Sequence, residues 1–156
     1  MRTREIAALL AAHPLFAGFD GATLARLAGC ATNEVWKPNQ TIFREGDAAD
    51  AVWLLRRGAV AVELAAPGRA SLVVETLQAG DALGWGWLVP PHRCMADARA
   101  VSEAGGLRLD AACLRRTCDD DPVVGYRVLK AWAPYLADRM RAQRLQMLDL
   151  YGADAG

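Results

Sequence analysis

The sequence FREGDA at residues 43–48, followed by VWLLRRGAV at residues 52–60, is the stretch that decides the fold. Gly46 and Gly58 interrupt apolar runs rich in Val, Leu and Trp, which is the pattern of short strands separated by tight turns. Runs of this kind lie at 32–36, 41–44, 51–56, 59–64, 71–77, 96–102 and 106–109. Since no helical segment intervenes to make parallel crossovers, these runs predict an antiparallel β jelly-roll barrel.

The segments on either side of the strands have helical periodicity instead. Residues 4–12 and 20–28 carry apolar side chains at helical spacing, and so do residues 111–117 and 122–150. Asp20 is a suitable N-cap, and Pro122 suits the first turn of the last helix. The sequence predicts one α+β, mainly β domain over residues 1–156, with N-terminal helices in 1–30, the jelly roll in 31–109 and C-terminal helices in 110–151. Pro134 is expected to kink the long last helix.

Composition excludes several classes of function. The chain has 156 residues and a formal net charge of zero, which gives no support to binding of DNA or of an acidic membrane surface. No apolar run approaches the length of a membrane span. No catalytic triad, carboxylate pair at helical spacing or P-loop is present, so we do not expect an enzyme.

Four cysteines, at positions 30, 94, 113 and 118, form no C-x-x-C pair. With only two histidines beside them, a metal site is not expected, and no cofactor is implied. The cysteines are interpreted as reduced thiols of a cytoplasmic protein.

Apolar residues in the last helix alternate at spacings of three and four, which is the pattern of a coiled-coil seam with one polar position. The seam residues are Ala133, Leu136, Met140, Gln143, Met147 and Leu150. The seam either packs on the chain's own strands or meets its copy in a two-fold dimer. We expect the homodimer.

The FREGDA and VWLLRRGAV motifs, together with Gly80-Asp81-x-x-Gly84, resemble the cyclic-nucleotide-binding domain family. This family supplies the sensor domain of bacterial catabolite activators and of cyclic-AMP-dependent kinase regulatory subunits. The resemblance implies a phosphate-binding cassette with a glycine, a glutamate for the ribose hydroxyl and an arginine for the phosphate. Gly84 matches that glycine. Trp85 stands in place of the glutamate and Cys94 in place of the arginine, while Arg93 lies one residue early. In an extended strand Arg93 would point to the opposite face, whereas an irregular turn around Pro90-Pro91 would let it substitute for the missing arginine, and both alternatives stay open.

The altered cassette is expected to bind a planar or hydrophobic ligand that is nucleotide-like or anionic, stacked on an indole and held by backbone amides. By the resemblance, Gln143 and Arg144 fall where the long helix touches the purine. The candidate ligand-binding residues are Gly84, Trp85, Gly86, Trp87, Arg93, Cys94, Met95, Gln143 and Arg144.

The sequence therefore predicts a stand-alone regulatory sensor that binds a small ligand and signals through a helix-mediated dimer, with a small molecule or a regulated protein as its partner. No helix-turn-helix follows Leu150, so we do not expect DNA binding. Three alternatives stay open: an adaptor with a plugged pocket, weak genuine binding of cyclic AMP, and a redox sensor in which Cys94 gains thiolate character beside Arg93.

Overall fold

A computed structural model describes the backbone of residues 2–155 and the side chains of residues 2–149. Four α-helices are present in these residues: α1 (Thr3–Ala12), α2 (Gly21–Ala28), α3 (Ala111–Asp120) and α4 (Pro122–Ala155). The eight strands are β1 (Ala31–Trp36), β2 (Thr41–Phe43), β3 (Ala51–Arg57), β4 (Val60–Leu64), β5 (Leu72–Leu77), β6 (Ala82–Leu83), β7 (Asp97–Ala100) and β8 (Ala104–Asp110). Two 3₁₀ turns, Pro14–Phe16 and Trp85–Trp87, complete the elements.

The strands form two four-stranded sheets in which every recorded pairing is antiparallel. One sheet has the order β1-β8-β3-β6 and the other β2-β7-β4-β5. The jelly-roll prediction is confirmed, with one correction: the strands make two separate sheets and do not close into a barrel. The short strand β6 was not predicted, because two residues beside a glycine turn carry no periodicity.

The first of these sheets is covered on both faces, which explains why β3 is almost continuously apolar. Trp53 and Leu55 point toward the second sheet and pack with Trp36 between the sheets. Val52 and Leu54 point the other way, into a cluster that includes the helices. The apolar run at residues 51–55 therefore reflects burial of both faces of one strand, which ends at the exposed Arg56 and Arg57.

Residues of all four helices pack in one cluster with Val52 and Leu54 on the outer face of the first sheet, and α4 also contacts β5 of the second sheet. Asp20 caps α2 by accepting a hydrogen bond from the backbone N–H of Thr23 at 2.7 Å. Asp110 caps α3 in the same way, and Pro122 begins α4. Helix α4 is continuous through Pro134; the kink expected there stays a prediction.

Two of the four cysteines differ from the sequence-based interpretation. Cys30 and Cys113 form a disulfide that joins the residue before β1 to the first turn of α3, with Cα atoms 5.8 Å apart. The prediction of four reduced thiols is therefore wrong for this pair, since the β1–β8 pairing brings two residues far apart in sequence together. Cys94 and Cys118 are free. Because disulfides are rare in reducing compartments, the cytoplasmic location stays a prediction.

Candidate functional site

A cavity of about 120 Å³ lies between the second sheet, the turn after β6 and helix α4. Most of its lining is apolar, and the polar side chains are few. The lining residues used below are Phe43, Glu75, Gly84, Trp85, Gly86, Cys94, Met95, Ala96, Tyr135, Arg139 and Gln143. The cavity thus has two ends, which we call the cassette end (residues 84–95) and the helix end (Glu75, Arg139 and Gln143).

The cassette end begins at a glycine turn. Gly84 has φ +94°, a left-handed conformation that favours glycine, and it leads into the 3₁₀ turn. A Cβ on Gly86 would lie 2.6 Å from the backbone oxygen of Arg93, so only glycine permits this close approach. Trp85 is half-buried and lines the cavity, whereas Trp87 turns away from it.

Trp87 instead joins the cassette end to the helical core. Its indole is 1% exposed and packs edge-on against Trp132 of α4, with ring centroids 5.7 Å apart. Its backbone carbonyl accepts a hydrogen bond from Arg115 at 2.9 Å. The indole N–H groups of Trp87 and Trp132 are both buried without a hydrogen-bond partner among the described residues. Trp87 is therefore a packing residue.

Arg93 and Cys94 follow the Pro90-Pro91 turn and lie outside the regular strands. Arg93 is exposed and outside the cavity lining, and its guanidinium donates to the backbone oxygen of Gly46 at 3.5 Å. Cys94 lines the cavity. No arginine of residues 84–95 lines the cavity, and the role of Arg93 toward a ligand stays a prediction.

The Cys94 thiol is neutral at physiological pH. Burial, followed by the nearby carboxylates of Asp47 and Asp50, raises its pKa to about 11. The suggestion that Arg93 gives Cys94 thiolate character is therefore wrong, because the closest charges are negative and the guanidinium points elsewhere. This observation removes the basis of the redox-sensor alternative.

The helix end holds the charged groups of the cavity. Arg139 donates to one oxygen of the Glu75 carboxylate at 3.0 Å, and Gln143 donates to the other at 3.1 Å. Glu75 is only 8% exposed, and burial raises its pKa despite the two donors. The carboxylate lies in the middle of β5, so these contacts tie α4 to the second sheet.

Two further side chains of α4 strengthen this attachment. Gln146 donates to the backbone oxygen of Val73 at 2.7 Å. The Tyr135 hydroxyl accepts from the backbone N–H of Ala82 at 2.8 Å and donates to its carbonyl at 3.1 Å. Burial raises the pKa of Tyr135 to about 12, and its ring lies 5.6 Å from the Arg139 guanidinium. One helix face therefore both lines the cavity and fixes α4.

The predicted ligand-binding residues divide into two groups. Six of them line the cavity: Gly84, Trp85, Gly86, Cys94, Met95 and Gln143. Trp87, Arg93 and Arg144 do not, and this corrects the sequence-based assignment. Trp87 is buried against Trp132, Arg93 points outward, and Arg144 lies on the exposed side of α4.

Sequence analysis missed Glu75, Tyr135 and Arg139. Residues 135, 139 and 143 are spaced by four, so they share one helix face, and that spacing was available in the sequence. Glu75 is a single carboxylate within the apolar strand LVVETL, which is a signal of a buried polar group. Arg144 was assigned with Gln143 from the family resemblance; it lies about 100° around the helix from Gln143 and outside the cavity lining.

An apolar stripe on α4 remains exposed beside the cavity. We call it the α4 stripe: Leu129, Ala133, Leu136, Met140 and Met147. Met140 and Met147 are 55% and 49% exposed, whereas Leu136 is half-buried against the helical core. Gln143 was predicted within this seam, but it turns onto Glu75 instead. Leu150 lies outside the side chains that the structure describes.

Two other site types find no support in the described residues. Between residues 2 and 149, no three His, Cys, Asp or Glu side chains are grouped closely enough to hold a metal ion. No helix in the described part of the chain has the length and apolar character required to span a membrane.

Comparison with known proteins agrees with this architecture. The cyclic nucleotide-binding domain family matches residues 33–121, which is more than half of the chain. Glutaminase 1 of Bradyrhizobium diazoefficiens is 34% identical over 131 residues, or 84% of this chain. The chain spans about a fifth of the length of that curated relative.

Solved structures show the same fold at lower sequence identity. A putative cyclic nucleotide-binding protein from Geobacter metallireducens superposes with a TM-score of 0.77 at 18% identity, covering 90% of this chain and 98% of that one. The regulatory subunit of a cAMP-independent protein kinase A from Trypanosoma brucei gives a TM-score of 0.68 at 19% identity, with coverage of 88% and 51%. The chain belongs to the cyclic nucleotide-binding domain family.

Proposed function

We propose that this chain is a regulatory sensor domain that binds a small molecule in the cavity and signals through α4 to a second copy of itself. One observation carries the proposal: the cavity is lined jointly by the cassette end and by three residues of α4, Tyr135, Arg139 and Gln143. A ligand in that position contacts both elements, so its binding free energy can depend on the position of the helix.

The charges at the cassette end argue against tight binding of cyclic AMP. By the resemblance, the indole of Trp85 and the thiol of Cys94 stand where the family carries a ribose-binding carboxylate and a phosphate-binding guanidinium. Each lost charge-assisted hydrogen bond costs about 1.5–3 kcal/mol. The two together correspond to roughly a hundredfold to more than ten-thousandfold in affinity. The Trypanosoma brucei neighbour, described as cAMP-independent, supports use of this fold without cyclic AMP.

The α4 stripe supports a second copy of this chain as the partner. Its residues follow the spacing of a coiled-coil seam, and a two-fold axis along α4 would place the stripe against itself. The face beside it contacts the cavity through Arg139 and Gln143. A change at the helix end would therefore alter the geometry of the dimer.

Dimerisation is tested by Met140→Glu, with Leu145→Glu as a matched control. Leu145 is 56% exposed and lies about 140° around α4 from Met140. Light scattering after gel filtration should give dimers for the wild type and for Leu145→Glu, and monomers for Met140→Glu. A monomeric wild type would overturn the proposed signalling route.

Ligand binding is tested by a thermal-shift screen with cyclic AMP, cyclic GMP and a panel of small metabolites. A ligand present at a hundred times its dissociation constant should stabilise the protein by about 2.7 kcal/mol. The shift should be smaller in Trp85→Ala, which changes the cavity, than in Val89→Ala, an exposed neighbour outside the lining. If no compound stabilises the protein, the sensor proposal fails.

The second candidate is an adaptor whose pocket binds nothing. The mutual pairing of Glu75, Arg139 and Gln143 favours it, because both oxygens of the Glu75 carboxylate already accept hydrogen bonds from α4, and among these groups only the Nε–H of Arg139 is buried without a partner in the described residues. In that case α4 is held in one position permanently. Co-purification of a protein partner, with no stabilising compound in the screen, would select this function.

A further inference from the structure

We infer that the cavity takes a small, uncharged, mainly aromatic molecule, and not a nucleotide or another anion. This inference rests on the proposed function, because it assumes that the cavity is a ligand site. It follows from the size of the cavity, the charges at its two ends and the side chains between them.

The size of the cavity limits the ligand. Pockets that enclose drug-sized ligands measure roughly 300–1,000 Å³. The cavity here has about 120 Å³. An engineered apolar cavity of about 150 Å³ in another protein binds benzene. A single ring with one or two substituents therefore matches the space, whereas a purine, ribose and phosphate together would extend beyond it, through its open side or past Phe43 and Cys94 into the adjoining pocket.

The cassette end is unfavourable for an anion. Cys94 contributes a neutral thiol, and the carboxylates of Asp47 and Asp50 lie close enough to raise its pKa. Neither carboxylate pairs with a cation within 4.0 Å in the described part of the chain. Arg93, the nearest cation in sequence, contacts Gly46 outside the cavity. A negative group placed here meets negative charge and no compensating donor from an arginine.

The helix end is also closed to an anion, for a different reason. Arg139 is the cation that lines the cavity, and it already pairs with Glu75. An anionic ligand would have to displace this carboxylate and leave it buried without its partner, which is costly. An uncharged ligand leaves the pair intact and needs at most one hydrogen bond from this end.

The side chains that line the cavity favour an aromatic ring. Phe43, Trp85 and Tyr135 line it together with the exposed Met95, so three aromatic side chains and a thioether border the space. Rings gain from edge-to-face and offset contacts with such neighbours, and sulfur packs well against ring edges. Burial of the ring supplies the binding free energy, and charge is not required.

The experiment compares three probes of nearly the same shape, namely benzyl alcohol, benzoate and benzylamine, by calorimetry and by quenching of tryptophan fluorescence. Benzyl alcohol should bind at least tenfold more tightly than benzoate. The wild type is compared with Ala96→Leu, which fills the cavity, and with the matched control Ala112→Leu on the exposed face of α3. Binding should be lost in Ala96→Leu and kept in Ala112→Leu.

Three results would overturn the inference. The first is that benzoate or benzylamine binds as tightly as benzyl alcohol, or more tightly, at a site that Ala96→Leu abolishes; this contradicts the ligand class and leaves the sensor proposal intact. The second is a submicromolar dissociation constant for cyclic AMP, which also contradicts the ligand class and leaves the sensor proposal intact. Absence of binding by every probe contradicts the inference, and the sensor proposal then fails only if the metabolite screen is negative too. If Ala96→Leu does not fold, Phe43→Trp serves as the second filling variant.

Discussion

The two ends of the cavity are held in place by different forces. At the cassette end, Trp87 packs on Trp132 and Gly86 lies against the strand beside Cys94, with no ion pair involved. At the helix end, a buried carboxylate accepts hydrogen bonds from Arg139 and Gln143. The comparison shows that the charged side chains lining this cavity pair with each other at the helix end, and that the cassette end is lined by uncharged side chains.

The largest effect is expected from Trp87→Ala. Removal of a fully buried indole costs about 3–5 kcal/mol of unfolding free energy, because the surrounding core cannot close the space. Trp85→Ala is the matched control, since Trp85 is half-buried and borders open cavity; it should cost less than half as much. Urea denaturation measures both. Equal losses would mean that both indoles anchor the cassette end.

At the helix end, a mutant cycle tests the charge pair. Arg139→Met alone should cost about 1–3 kcal/mol, because it leaves the Glu75 carboxylate buried with one donor fewer. The double variant Glu75→Leu/Arg139→Met should recover most of this loss, since no buried charge remains. Denaturation curves of the four proteins give the coupling. Additive losses would contradict mutual pairing as the force that holds this end.

The reactivity of Cys94 tests the neutral character of the cassette end. A pKa raised from 9.0 to about 11 lowers the thiolate fraction roughly a hundredfold at a given pH. Higher intrinsic nucleophilicity offsets part of this, so reaction with dithiodipyridine should be roughly tenfold slower than for an ordinary thiol.

The rate is measured in a Cys118→Ser background, so that Cys94 is the free thiol observed. Asp50→Asn should accelerate the reaction because it removes a nearby negative charge. Asp119→Asn serves as the control, since the Asp119 carboxylate raises the pKa of Cys118 and does not contribute to the raised pKa of Cys94. If Cys94 in the Cys118→Ser protein reacts as fast as an ordinary thiol or faster, the cassette end has a positive electrostatic potential and the interpretation is wrong.

The smallest effect concerns pH. Burial raises the pKa of Glu75 above its ordinary value of 4.5, so the folded protein binds its proton more tightly than the unfolded chain does. This contribution to stability is present below pH 4.5 and is lost as the pH rises through the folded-state pKa. The unfolding free energy of wild type relative to Glu75→Gln should therefore fall over that range. If the unfolding free energy of wild type relative to Glu75→Gln instead rises with pH, the pKa of Glu75 is lowered by folding and not raised.

Much of the fold could be predicted from the sequence, because strand and helix periodicity report which faces are buried. Helices α1 and α2 and the strand run containing Trp53 lie within a few residues of the predicted bounds. Burial of β3 on both faces, however, depends on which elements cover the sheet, and the apolar run alone does not identify those elements.

The site was predicted less completely. Arg93 lies outside the cavity lining and Cys94 within it, although the two residues follow an irregular turn and belong to no strand. Glu75 and Arg139 were missed because their pairing joins a strand and a helix 64 residues apart in sequence. The Cys30–Cys113 disulfide was missed for the same reason, since spacing along the chain carries no information about such a distance.

That disulfide has a consequence for limited proteolysis. It encloses every residue from 31 to 112, including the exposed hairpin connection at Arg69. A trypsin cut after Arg69 would open the chain, yet the two fragments would stay covalently joined through the sulfur atoms. Such a nick would be visible on a reducing gel and invisible on a non-reducing one, so a sample that looks intact could already be cleaved.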